Sequence, residues 1–205
     1  MITSNIVIRR PRMEELNRID AFFAIVIEHT FLVNGLGALA DTKAEELDYK
    51  QKIIRADFAT GGEERFFLLA EHGGEIVGSI ECGPANDLLV ACAKNELQDV
   101  PEVGTVFVHP HHQRRGLASL LLSTMFDALW RRNVKEVCLD SGYKEAQRIW
   151  THVFGEPTYL AKDYWGDGSH HMVWHIPLKE ALGRFSSRCD SVILDKMGIQ
   201  LAVQD

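Results

Sequence analysis

The stretch that most constrains the fold runs from Pro101 to Arg132, where a short apolar run is followed by a turn and a long amphipathic segment. Residues 103–108 are almost continuously apolar, which predicts a strand buried on both faces. His109-Pro110 ends this strand, because proline lacks a backbone donor and disfavours helix in its predecessor. The segment that follows carries apolar side chains at every fourth position, which predicts a helix: Leu117, Leu121, Met125 and Leu129.

The turn between strand and helix is a candidate anion site. The first backbone N–H groups of a helix have no partner inside it, and the helix dipole favours negative charge there. Gly116 and Ala118 leave room for a bulky diphosphate to approach the backbone, and Arg114 and Arg115 add positive charge. An ordinary strand, loop and helix with solvated arginines would have the same pattern, so the residues alone leave both interpretations open.

Gln113-x-x-Gly116-x-Ala118, preceded by that strand and followed by a Leu-rich helix, resembles motif A of the GNAT superfamily of N-acetyltransferases. The absence of Gly-Lys-Ser/Thr excludes a Walker-type loop. The resemblance implies that the loop amides hold the pyrophosphate of acetyl-CoA and that the strand backbone pairs with its pantetheine arm. It assigns coenzyme binding to Val106, Phe107, Val108, Gln113, Arg114, Arg115, Gly116, Leu117, Ala118 and Ser119.

Along the chain, hydrophobic periodicity predicts a strand, two helices, three strands, a helix, a strand, a helix and two strands, which is an α/β sandwich. The resemblance implies a GNAT-type mixed, largely antiparallel central sheet flanked by helices over residues 1–178. Residues 179–205 are predicted to form a C-terminal helical extension, packed on this domain or on a second subunit in a homodimer. Residues 88–93, inside an insertion over 84–100, fit either a strand or a helix.

Two local signals set element boundaries. Thr42-x-x-Glu45 is typical of a capping box and predicts the start of the second helix. Gly73-Gly74 supplies the positive φ angles of a tight hairpin. A later helix over 144–154 is predicted to bury one face, formed by Ala146, Ile149, Trp150 and Val153.

Acyl transfer from a thioester to an amine requires a deprotonating group, a donor for the carbonyl oxygen and a proton or positive field for the leaving thiolate. Glu102 is the first candidate base, since many members of the resembled family carry a glutamate there; a solvated strand end is the alternative. Glu81, on the neighbouring strand, is the second candidate. A backbone N–H near Val106 or Val108 is the expected oxyanion donor.

The proton donor for the thiolate is less clearly indicated. The resembled family often places a tyrosine beside the coenzyme sulfur, but Trp150 stands at that position here, and an indole N–H does not release a proton at useful pH. Tyr143 is the first alternative. The remaining candidates are His152, Tyr159 and Tyr164, or no residue at all, since a thiol with a pKa of about 8.5 is a tolerable leaving group.

Composition narrows the function classes. The net charge of −7 argues against non-specific nucleic-acid binding. No stretch predicts a signal peptide or membrane span, and four scattered cysteines fit reduced thiols in a cytoplasmic protein better than a disulfide framework. Nine histidines lack the ligand spacing of a zinc site, so no metal is expected.

Together these features predict an acetyl-CoA-dependent N-acetyltransferase that acts on a primary amine of a small molecule, such as an amino acid or a polyamine. The alternatives are a protein amine as acceptor, a module that binds acyl-CoA without transferring the acyl group, and an enzyme that acetylates charged tRNA. The last would need a basic face, which the net charge disfavours.

Overall fold

The computed structural model describes residues 6–189, and side chains up to residue 185. A seven-stranded sheet with the order β1-β2-β3-β4-β5-β7-β6 forms its centre. Neighbouring strands are antiparallel except for β4 and β5, which run parallel. The strands are β1 (Ile6–Arg9), β2 (Phe66–His72), β3 (Glu75–Gly83), β4 (Glu102–Val108), β5 (Glu136–Ser141), β6 (Tyr159–Ala161) and β7 (His171–Pro177).

Helices cover both faces of the sheet. They are α1 (Leu16–Val33), α2 (Ala40–Thr60), α3 (Asp87–Cys92), α4 (Leu117–Arg131), α5 (Lys144–Phe154) and α6 (Leu178–Cys189). The helices α4, α5 and α6 share one buried core with the sheet, built around Leu121, Phe126 and Trp174. On the opposite face, α1 and α2 pack over β2 and β3, while α3 packs over β5 and β7. The described architecture is the α/β sandwich that the sequence predicts.

The helix pattern in the sequence identifies the buried face of α4 correctly, since all four predicted apolar positions are buried. Gly73 and Gly74 take φ angles of 59° and 85° in the β2–β3 hairpin, as predicted. The segment that fitted either a strand or a helix is the short helix α3. Asn86 begins it by accepting a hydrogen bond from the Leu89 N–H at 2.9 Å.

Three local predictions are wrong. Helix α2 begins at Ala40, after Leu39, so Thr42 lies inside the helix and does not cap it. Ile149 is 52% exposed on α5, where Gln147 takes the inward position that was expected to be apolar. The carboxyl end of β4 is only half-buried, because the partly exposed residues 106–108 border a gap in the sheet.

Helix α6 packs on its own chain. Leu178, Ala181 and Phe185 are buried, and the Phe185 ring lies 5.7 Å from that of Phe126 on α4, centroid to centroid. The predicted division into a domain over residues 1–178 and an extension over 179–205 stays a prediction. Residues 190–205 lie outside the described part of the chain. Among residues 6–189, no helix combines the length and apolar character needed to cross a bilayer.

A buried ion pair ties α2 to the sheet, and its loss should be costly. Asp57 is fully buried and accepts hydrogen bonds from both terminal nitrogens of Arg10, at 2.7 and 2.9 Å, and from the Phe67 N–H at 2.9 Å. We expect Asp57→Ala to lower the free energy of unfolding by about 3 kcal/mol, because it leaves the Phe67 N–H without its acceptor and removes two hydrogen bonds from Arg10. Urea denaturation measures this loss.

The matched control is Asp127→Ala, which breaks the exposed pair between Asp127 and Arg131 on α4. We expect it to change the free energy of unfolding by no more than about 0.5 kcal/mol. Similar losses of unfolding free energy in the two variants would show that burial of the Asp57 carboxylate does not determine how much its ion pair stabilises the fold.

Candidate active site

The two parallel strands at the centre of the sheet separate along their length. They pair at Glu102 and Cys138, and the Cys138 N–H also donates to the Pro101 carbonyl at 2.9 Å. Beyond this point, β5 continues alongside β7, and β4 alongside β3. One edge of residues 106–108 therefore faces a gap in the sheet, where an extended ligand could lie as an additional strand.

An irregularity in β4 contributes to this separation. The register between β3 and β4 slips by one residue between Ser79 and Glu81. At this point Thr105 has a φ of 49°, which is rare for a β-branched residue. A bulge of this kind bends the strand that carries it and increases its twist. The Ser79 hydroxyl fixes the bulge by donating to the Thr105 carbonyl at 3.0 Å.

The loop after β4 ends at an uncovered helix N-terminus. Gly116 precedes α4 with a φ of 85°, a left-handed conformation that suits glycine. The first backbone bond of the helix runs from the Leu120 N–H to the Gly116 carbonyl at 3.0 Å. The amides of Leu117, Ala118 and Ser119 precede that bond and are therefore available to an anion.

The side chains of this loop are arranged as a solvent-facing rim. Gln113, Arg114 and Arg115 are all exposed. Gln113 donates from its side-chain amide to the Val108 carbonyl at 3.2 Å, which closes the turn onto the end of β4. The ten residues predicted to bind the coenzyme thus lie between the gap in the sheet and the first turn of α4, and their role as its lining stays a prediction.

A row of carboxylates crosses the face of the sheet beneath α2 and α3. Glu81 on β3, Glu102 on β4 and Asp140 on β5 project from this face, and the first two are 2% and 8% exposed. Gly104 lies between them: a Cβ added there would stand 2.8 Å from Glu81 Oε1 and 3.3 Å from Glu102 Oε1. The structure therefore brings together the two glutamates that the sequence singles out.

Glu81 is the more tightly paired of the two. Arg65 donates to its Oε2 at 2.7 Å, and the Thr105 hydroxyl lies 3.5 Å from its Oε1. Burial raises the pKa of Glu81, although the positive charges of Arg65 and Lys50 oppose this rise. Glu81 is thus one half of a buried ion pair.

Glu102 is held differently. Its Oε2 accepts two hydrogen bonds from Asn86, one from the backbone N–H at 2.7 Å and one from the side-chain amide at 3.0 Å. Burial, followed by the negative charges of Asp140 and Glu81, raises the pKa of Glu102 to about 8. A carboxyl group in this range can accept or release a proton near neutral pH.

Tyr143 lies at the carboxyl end of β5, directly before α5. Its hydroxyl donates to Glu46 on α2 at 2.6 Å, and its ring contacts that of Phe31 on α1. Burial and the nearby Glu46 raise the pKa of Tyr143 above its ordinary value, so the hydroxyl keeps its proton. Trp150, by contrast, is buried in the hydrophobic core beside Phe154.

Several polar residues at the site were not identified from the sequence as functional candidates. Asp140 follows the apolar run of β5, residues 137–139, and an inward carboxylate on such a strand is a signal of function in the sequence. Asn86 and His171 reach the same cluster from the insertion and from β7. They carry no local signal, since only the folded chain brings them to Asp140.

The histidines do not assemble a recognisable metal site. His72, His109, His111 and His112 form a chain of ring contacts beside the loop after β4, with centroids 5.2 to 5.9 Å apart. Within residues 6–189, no three His, Cys, Asp or Glu side chains converge in a way that could hold a metal ion.

Comparison with known proteins identifies relatives of this fold. A sequence model described as the Acetyltransferase (GNAT) family matches residues 35–155. No curated protein matches the sequence.

Three solved structures illustrate the structural likeness. PaiA N-acetyltransferase from Thermoplasma acidophilum, solved with coenzyme A, is 14% identical with a TM-score of 0.61, over 84% of this chain and 99% of its own. YncA from Salmonella typhimurium, solved with acetyl-CoA, is 19% identical with a TM-score of 0.61, over 85% and 95%. A chimera of the Vibrio cholerae spermidine N-acetyltransferase SpeG and hSSAT is 13% identical with a TM-score of 0.59, over 87% and 99%. At such identities the likeness concerns the fold.

Proposed function

Because the chain belongs to the GNAT family of acetyltransferases, we propose that it transfers the acetyl group of acetyl-CoA to a primary amine of a small molecule, such as an amino acid or a polyamine. The observation that carries this proposal is the position of Glu102, a buried carboxyl group at the point where β4 and β5 separate. The acceptor would attack the thioester directly.

The lining described above suits acetyl-CoA. The backbone edge of residues 106–108 borders the gap in the sheet, and an extended pantetheine arm could pair with it as an additional strand. The amides at the start of α4 suit a pyrophosphate. Arg114 and Arg115 are exposed beside these amides and would add attraction for the phosphates. When bound, the coenzyme supplies the activated acetyl group and a thiolate leaving group.

Glu102 suits the role of base. A protonated amine has a pKa of about 10, so the acceptor must lose a proton before its nitrogen can attack. Glu102 would take that proton, directly or through a water molecule, before the N–C bond forms. As the C–S bond then breaks, the nitrogen loses a second proton, and the leaving thiolate gains one through solvent. Its Oε2 is occupied by Asn86, while Oε1 faces Gly104 and stays available. Glu81 is less suited, because Arg65 donates to its Oε2 at 2.7 Å and the Thr105 hydroxyl lies 3.5 Å from its Oε1, so both oxygens already have partners.

Tyr143 stays our prediction for the group that assists the leaving thiolate. Its raised pKa keeps the phenol protonated. The single O–H donates to Glu46 at 2.6 Å, so it would have to turn away from Glu46 to donate to sulfur. Trp150 is buried among core side chains and is not needed for this proposal. Full protonation of the thiolate could also come from solvent, since its own pKa is near 8.5.

The surroundings favour a small, positively charged acceptor. The positive charges near the row of three carboxylates are those of Arg65, which is already paired with Glu81, and of Lys50. A site beneath α2 and α3 with such low exposure suits a narrow amine better than a folded protein surface.

We further propose a cytoplasmic location, which the free thiols of Cys82, Cys92 and Cys138 support. A homodimer stays a prediction.

The direct test is release of free coenzyme A thiol from acetyl-CoA in the presence of an amine panel. We expect diamines and basic amino acids to be acetylated faster than neutral amines of similar size, because the carboxylate row attracts positive charge. The same amines with every amino group acetylated should give only background release.

Calorimetric titration with acetyl-CoA accompanies the panel. Binding without thiol release for any small amine or N-terminal peptide would contradict the proposed transfer and favour the module that only binds acyl-CoA. Release with peptides alone would favour the protein amine as acceptor.

A further inference from the structure

Asn86 occupies the junction between the insertion and the row of carboxylates. Its side-chain Nδ2 lies 3.0 Å from Glu102 Oε2 and 3.2 Å from Asp140 Oδ2, so one amide group bridges two carboxylates. Its backbone N–H donates to the same Glu102 oxygen at 2.7 Å. Residues 84–100, the insertion that contains α3, therefore hydrogen-bond the proposed base through Asn86.

The orientation of the Asn86 amide is fixed by helix α3. Its Oδ1 accepts the Leu89 N–H at 2.9 Å as the N-terminal cap of that helix. Because the oxygen faces the helix, the NH₂ group must face Glu102 and Asp140. The two donors of the amide are thus directed at the two carboxylates.

Asp140 is anchored from the other side by β7 and the loop before it. Trp165 donates its indole N–H to His171 Nδ1 at 3.2 Å, and His171 Nε2 lies 3.0 Å from Asp140 Oδ2. Since Nδ1 accepts from the indole, the proton of the ring lies on Nε2 and is donated to Asp140. Gly142 makes this possible, because a Cβ there would stand 2.5 Å from the Trp165 indole nitrogen.

These contacts form one chain of hydrogen bonds from Trp165 through His171, Asp140 and Asn86 to Glu102. Starting from the proposed function, we propose that Asn86 is a positioning residue: it seats the base Glu102 and keeps the Asp140 carboxylate at a fixed distance from it. Asn86 stabilises the ionised base, and Asp140 opposes ionisation by like-charge repulsion. The balance between the two sets the pH at which the base becomes active.

Asn86→Asp separates this role from helix capping. Aspartate still caps α3, since it accepts the Leu89 N–H, but its side chain cannot donate to the carboxylates and adds a further negative charge beside the row of three. We expect the midpoint of the pH–rate profile to rise by at least about one unit and the rate at pH 7 to fall roughly tenfold for each unit. Asn86→Ser keeps a neutral cap and should raise the midpoint by a smaller amount.

Two further variants complete the design. Asp140→Asn removes the like charge while still accepting from His171, so the midpoint should fall by about one unit. Asp87→Asn, at the exposed neighbouring position, removes a charge of the same kind and should leave the midpoint unchanged. Opposite shifts for Asn86→Asp and Asp140→Asn are the signature of a positioning role.

A titration that needs no activity keeps this proposal distinct from the proposed function. Carbon-13 NMR of labelled glutamate carboxyls, with the Glu102 signal assigned by its loss in Glu102→Gln, gives the midpoint directly. If no amine is acetylated, the proposed function fails while this titration still tests Asn86. An unchanged Glu102 midpoint in both Asn86 variants would overturn the proposal and leave Asn86 as a helix cap alone.

Discussion

Glu102→Gln is expected to lower turnover at pH 8 by about 10²- to 10⁴-fold, the usual contribution of a general base. Glutamine keeps the size of the side chain and can still accept from Asn86 through its carbonyl oxygen, so the local fold should be retained. The affinity for acetyl-CoA should stay within about twofold, because the proposed coenzyme contacts lie at residues 106–108 and 113–119. Steady-state kinetics and calorimetry measure the two effects separately.

The control is Glu145→Gln, which neutralises an exposed glutamate paired with Arg148 on the surface of α5. It should leave turnover unchanged. Unchanged turnover in Glu102→Gln would exclude Glu102 as the base and make Glu81 the next candidate. A loss of coenzyme affinity equal to the loss of turnover would mean that Glu102 acts through binding.

The pH dependence has a definite sign. A base must be deprotonated to accept a proton, so the rate should rise as pH increases through about 8, the raised pKa of Glu102. The same shift makes the folded protein hold a proton that the unfolded chain releases. The contribution of Glu102 to stability is therefore fully present below its ordinary pKa of 4.5 and is lost as pH rises through about 8. Glu102→Gln should flatten both profiles in this range.

The sequence predicts the fold well because much of it depends on local patterns. The strand, turn and helix over residues 101–132 follow from apolar spacing, a proline and a glycine, which act within a few residues of one another. The capping box at Thr42 fails for the opposite reason. Helix α2 is also held by tertiary contacts, such as the hydrogen bond from the Tyr143 hydroxyl to Glu46 in its second turn, and contacts of this kind stabilise a helix without a local cap.

The polar network around the base could not be predicted in the same way. Glu102 lies 16 residues from Asn86 in the sequence, and Asp140 lies 31 residues from His171. Each pair comes together only when the sheet and α3 have formed. The alternation of side chains along β4 and β5 places Glu102 and Asp140 on one face, but the parallel register at Glu102 and Cys138 is needed to make them neighbours. Sequence reasoning could not supply that register for strands separated by a helix.

Gly116→Asp is expected to weaken acetyl-CoA binding on the order of 1,000-fold. The substitution places a carboxylate at the residue before α4, beside the amides proposed to hold the pyrophosphate. Two like charges about 4 Å apart near a protein surface repel by roughly 4 kcal/mol, which corresponds to such a factor. Calorimetric titration should detect little or no binding by the folded variant, with partial recovery at high salt as the repulsion is screened.

Gly116→Asn isolates the charge from the backbone effect. Asparagine has the shape of aspartate and also tolerates the left-handed conformation at a φ of 85°, so both variants strain the turn to a similar extent. The neutral variant should therefore bind acetyl-CoA far more tightly than Gly116→Asp. A loss of affinity that both variants share would measure the backbone strain at residue 116. Equal affinities in the two variants would contradict the proposed position of the pyrophosphate, because only the charge distinguishes these side chains.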